Sequence, residues 1–164
     1  MGLIGGGLCG GIVLWLASGL AAPIPEAWRY AAVLAVAAVA VLRDLGLVRI
    51  RLPQNTRQVP QDVLRDHLVR GALQFGFELG TGVRTFVSAS APYALAFAVL
   101  LVGQRFEVAV LAGAGFGVGR AMTPLLRYAS AAGEHWDVLM QARIRTVTVL
   151  TSAALAVGLG VLLR

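Results

Sequence analysis

Apolar residues arrive in long uninterrupted runs separated by short polar connections, and this spacing predicts membrane-length helices. The first run covers 3–22 with no charge, which is enough to cross a hydrocarbon core of about 30 Å at about 1.5 Å per residue. A second run over 28–42 is short for a bilayer; either it is little tilted and flanked by snorkelling arginines, or it continues through Leu45-Gly46-Leu47-Val48. Further spans are expected at 86–102, 108–126 and 146–163. Trp28 and Tyr30 suit an interfacial belt just after the turn Ala22-Pro23-Ile24-Pro25-Glu26.

Between the second and third runs the pattern becomes helical but two-faced. Asp62, Asp66, Arg70, Gln74 and Glu78 recur every four residues, with Leu64, Leu68, Ala72, Phe75 and Leu79 on another face. This predicts an amphipathic helix over about 60–79 that starts at the membrane surface and rises obliquely, its polar ridge toward protein. Residues 71–103 as one helix would measure roughly 50 Å, too long for one straight span, so a break is expected at Gly80-Thr81-Gly82. The expected fold is all-α: one membrane domain over 1–164, a polytopic bundle of about five transmembrane helices plus the amphipathic one. Residues 43–70 and 127–145 are expected to be polar connections.

Composition agrees with that solvent. Of 164 residues, 58% are hydrophobic and 13% charged, with a mean hydropathy of +0.78, a balance that excludes a soluble domain. The spans leave no room for a catalytic ectodomain. Run 3–22 has no basic stretch before it and reads as a retained span rather than a signal peptide. The 14 basic residues, all arginine, exceed 8 acids for a net charge of +6. They cluster as Arg43, Arg49, Arg51, Arg57, Arg65 and Arg70 in one connection and Arg127, Arg143 and Arg145 in another, whereas the alternate connections carry only Arg29 and Arg105. This is the positive-inside pattern: an N-terminus in the cytoplasm and arginines facing anionic headgroups, with no role for nucleic acid. The expected location is the cell membrane, as in a bacterial inner membrane.

Ionisable groups at membrane depth are costly and are the first candidates for chemistry. Glu78, Arg84 and Arg120 qualify, with Gln74, Thr81 and Thr85 as polar neighbours. In one reading the arginines snorkel and Glu78 pairs with one of them; in the other the group forms a small anion-favouring site under the break. Glycine spacings at Gly6 and Gly10, and at Gly113, Gly115, Gly117 and Gly119, mark faces where helices can approach closely. Cys9 stands alone, His67 and His135 lack companions at ligand spacing, and Ser88 and Ser90 lack a histidine on a shared face. No catalytic set, metal or cofactor is therefore expected.

The run 76–92, Gly-Phe-Glu-Leu-Gly-Thr-Gly-Val-Arg-Thr-Phe-Val-Ser-Ala-Ser-Ala-Pro, resembles the broken first helix of the CcdA-type transmembrane reductant transporters. The resemblance implies a broken intramembrane helix. Those proteins use an intramembrane cysteine pair, and Ser88, Ala89 and Ser90 stand where a cysteine would be, so dithiol chemistry is not expected to follow. Two functions compete: a non-catalytic membrane subunit or scaffold that packs against partner subunits or its own copies, and a small solute or ion transporter with its polar site at Glu78, Arg84 and Arg120.

Overall fold

The computed structural model describes residues 1–50, 68–81, 89–102, 105–130 and 133–163. These contain helices and turns and no strand. In chain order the helices are α1 Gly2–Ser18, α2 Glu26–Asp44, α3 Leu68–Gly80, α4 Ala91–Val102, α5 Phe106–Ala129 and α6 Gly133–Leu162, with a 3-10 turn Gly19–Ala21 after α1. Among the described residues three stretches are long and apolar enough to cross a membrane by length and composition: Gly2–Ala21, Phe106–Ala129 and Trp136–Leu162. α4, at 12 residues, rises only about 18 Å.

Local chemistry sets the ends of α2. Pro25 stands at its N-cap with extended ψ, and Glu26 places a carboxylate in the first turn, where the helix dipole favours it. The Glu26 side chain also accepts a hydrogen bond from the Tyr30 hydroxyl one turn on. At the other end Gly46 adopts φ +81, and its N–H and that of Leu47 bond back to the carbonyls of Arg43 and Leu42. This is a Schellman closure, and it stops the helix at Asp44. Continuation of the second span through Leu45–Val48 is thereby ruled out.

α1 packs chiefly against α5 and α3, α2 against α6 and α4, and α4 joins the two groups by also touching α1. Glycines set the α1 contacts. A Cβ on Gly7 would lie 2.3 Å from the Gly113 carbonyl oxygen, and one on Gly11 would lie 2.4 Å from that of Ala109, so the α1 and α5 backbones are in direct contact. The pairing is antiparallel, and Trp15 meets Phe106 edge to face at 5.1 Å near its far end. On a second face of α1, Gly2 and Gly6 press against α3 through Gly76, Phe77 and Gly80. Here the helices are parallel, and the carbonyl of Thr81 reaches only the level of Gly10, 3.8 Å from its Cβ position. α3 therefore stops about half-way along α1.

The described part of the amphipathic helix, Leu68–Gly80, lies along α1 through the line Gly76, Phe77 and Gly80; on its expected polar ridge Gln74 is exposed and Glu78 half-buried. Residues 60–67 lie outside the described residues. The polar stretch 127–145 is largely helical: α5 runs to Ala129 and α6 starts at Gly133. Polarity there reports the surroundings of the side chains, whereas residues such as Leu139, Met140, Gln141, Ala142 and Arg143 are good helix formers.

Distances between helices establish a common level. Leu3 carbonyl oxygen lies 2.6 Å from the Cβ position of Gly117, so the start of α1 is level with the middle of α5. Trp15 and Phe106 share the far level. Ser90 and Ser152 both bond to Asp44, so the end of α2, the start of α4 and the middle of α6 meet at one point.

Candidate functional site

Among the described residues the most concentrated polar arrangement sits at the junction of α2, α4 and α6. Asp44 is 9% exposed, and its carboxylate is filled on both oxygens. Oδ1 accepts from Arg43 Nη1 at 2.9 Å and from Ser90 Oγ at 2.7 Å. Oδ2 accepts from the Ser90 backbone N–H at 3.0 Å and from Ser152 Oγ at 2.5 Å. Arg43 Nη1 also donates to Ser90 Oγ at 2.9 Å, and its Nε donates to the Ile50 carbonyl at 3.0 Å. A carboxylate offers about four acceptor positions, and here four donors occupy them. The charge is thus tolerated in an apolar surround, and the group has no acceptor position left for a ligand or a proton-transfer partner. Its role is mechanical: it ties three helices through residues 46 and 108 positions apart.

Two arginines extend this logic to helix ends. Arg145 Nη2 donates to the Leu45 carbonyl at 2.8 Å, at the C-terminus of α2, and Arg29 Nη1 donates to the Leu101 carbonyl at 3.3 Å, at the C-terminus of α4. Each cation meets carbonyls that have no partner within the helix, at the negative end of the dipole.

Of the expected polar group, Gln74, Glu78, Thr81 and Arg120 are described, and Gly80 at the end of α3 and Gly117 on α5 both lie against the Leu3 carbonyl oxygen, their Cβ positions 2.3 and 2.6 Å from it. Thr81 Oγ1 donates to the Glu78 carbonyl at 2.8 Å, closing the last turn of α3, and the Glu78 Oε2 atom is buried. Gln74 is exposed. Arg120 lies one turn beyond Gly117 on α5, with its guanidinium 5.6 Å from the centre of the Phe116 ring. Arg84 and Thr85 lie outside the described residues, as do Ser88 and His67.

The candidate packing glycines divide. Gly6 lies against α3, with its Cβ position 2.2 Å from the Phe77 carbonyl oxygen, and Gly10 is in ordinary contact with Thr81. Gly113 and Gly117 lie against α1. Gly115 and Gly119, on the opposite face of α5, meet nothing within 4 Å among the described residues. Cys9 is exposed, and among the described residues no three His, Cys, Asp or Glu side chains gather as metal ligands would.

Sequence reasoning overlooked the Asp44 junction. The available signal was an acid adjoining an arginine at the end of an apolar run, but Ser90 and Ser152 carry no local mark of the contact. Comparison with family models, characterised proteins and solved structures gives no match. Of the stretch that resembles the CcdA-type transporters, 76–81 forms the end of α3, and Ser90 is committed to Asp44.

Proposed function

We propose that this chain is a non-catalytic integral membrane subunit that packs against partner helices, supplied by other subunits or by further copies of itself. In this reading the chain crosses the cell membrane five times, through α1, α2, α4, α5 and α6, with its N-terminus and arginine-rich segments on the cytoplasmic side. The observation that carries it is the free glycine face of α5. One glycine pair, Gly113 and Gly117, is filled by α1; the other, Gly115 and Gly119, stands open beside exposed Leu111, Val118 and Met122. Glycines four apart on an outward apolar face allow a second helix to approach closely, and none of the described helices uses them. Most of the apolar stretch Trp136–Leu162 is likewise unburied, leaving much of α6 to lipid or protein.

Purification in mild detergent with mass identification of companions tests the proposal. Gly115→Leu and Gly119→Leu should release the partner, or reduce the oligomer to monomer, while the fold persists. A chain that is monomeric and alone before any substitution refutes it.

A second reading is a small solute or ion transporter with its polar site at Glu78, Arg84 and Arg120. It is favoured by α3 stopping half-way along α1 with a buried carboxylate oxygen near its end. Glu78→Gln or Arg120→Ala should then abolish flux in reconstituted vesicles while assembly persists; unchanged flux rejects that site.

A further inference from the structure

The apolar stretches of the helices are out of step. The apolar run of α1 is centred near Ile12, about nine residues from Leu3, whereas Gly117, level with Leu3, is already the centre of the run expected at 108–126. The offset is roughly 13 Å. A hydrocarbon slab about 30 Å thick that serves both has its middle near Gly7, which faces Gly113. Ten residues, or roughly 15 Å, from that middle bring the slab's inner face to about Thr123 on α5, and the Arg127–Asp137 pair sets the matching level of α6 near Gln141.

Beyond that face lies the elbow where α5 turns into α6. Its side chains do not suit bulk water. Leu125 is 60% exposed, Tyr128 89% and Val138 64%, with Leu139 and Ile144 also open. Arg127 and Arg143 are exposed among them, and Trp136 is half-buried. Arg127 pairs with Asp137 across the elbow at 2.6 Å, which holds the two helix ends together.

We propose that this elbow is seated in the headgroup layer of an anionic bilayer, with Leu125, Val138 and Ile144 against the acyl boundary and Arg127 and Arg143 on lipid phosphates. Open apolar side chains, two aromatics and arginines within a few turns of the slab face are the composition of an interfacial segment, and their charge complements phosphodiesters. The inference rests on the chain being membrane-embedded and is independent of any partner at Gly115 and Gly119.

Spin labels test it on the full chain reconstituted in phosphatidylcholine vesicles, with or without phosphatidylglycerol. In a Cys9→Ser background, labels at Leu125→Cys and Val138→Cys should be several-fold better shielded from a polar relaxation agent when phosphatidylglycerol is present. Added salt, or Arg143→Gln, should reverse the shielding. Labels that are equally water-accessible in both vesicles overturn the proposal. So do labels that are shielded regardless of lipid and salt, with dipolar broadening identifying a second copy as the cover. A control label at Val157→Cys, 67% exposed in the upper part of α6, should be deep in every case. If it is instead open to water, the membrane-embedded reading itself fails.

Discussion

Replacing Gly7 by alanine adds one methyl group at the tightest kind of contact a helix pair can make. Its carbon would lie 2.3 Å from the Gly113 carbonyl oxygen, 3.0 Å from the Gly117 nitrogen and 3.1 Å from the Gly117 Cα. All three atoms are backbone, so no side chain can swing aside. Ordinary contact begins near 3.4 Å, so α1 and α5 must part locally by about 1 Å, a gap that forfeits a quarter to a half of the dispersion energy of each contact it opens. Overpacking of this kind costs about 1–3 kcal/mol, and hydrocarbon supplies no hydrophobic compensation between helices. Gly113→Ala meets the reciprocal obstacle, the Gly7 carbonyl oxygen at 2.3 Å, so the double variant should cost less than the sum of the single ones: one separation accommodates both methyls. In the single chain freed of any partner, Gly115→Ala and Gly119→Ala point into open space and should be neutral, or stabilising by up to about 1 kcal/mol through helix propensity. Denaturant titration in mild detergent, read by circular dichroism and tryptophan fluorescence, compares these variants. Equal stability for Gly7→Ala and Gly115→Ala would refute the assignment of inner and outer faces.

Three further outcomes follow from the polar contacts and the turns. Ser152→Ala removes one donor to a charged acceptor and should cost about 1.5–3 kcal/mol; in a double-mutant cycle with Asp44→Asn the two should couple by at least 0.5 kcal/mol or so, and simple additivity would count against the junction. Gly46→Ala, forced to φ +81, should destabilise by roughly 1 kcal/mol, whereas Gly46→Asn should be better tolerated, as melting curves of the two would reveal. Arg127→Gln breaks an exposed ion pair and should alter stability by less than about 1 kcal/mol in the same titration; a larger loss would mean that the elbow's pairing is a major support of the fold.

What the residue order determines by itself is local. Apolar runs of membrane length, a proline and a glutamate at the start of α2, and a glycine two residues past its end are readable because each acts on its own neighbours in the chain. The all-helical class, the three stretches long enough to cross a membrane and the end of α3 at Gly80 follow from such signals. Packing decides the rest. Gly113 with Gly117 and Gly115 with Gly119 are equivalent spacings on one helix, and only the position of α1 makes the first pair internal and the second open. Asp44 looks like the polar end of a span until α4 and α6 bring Ser90 and Ser152 to it from distant positions. The stretch 127–145 misleads for the same reason: charge reports what surrounds a side chain, while backbone hydrogen bonding determines whether the segment is a helix. A one-dimensional pattern records which faces differ but not what each face meets, and that is settled by which backbones can approach closely enough to exclude everything else.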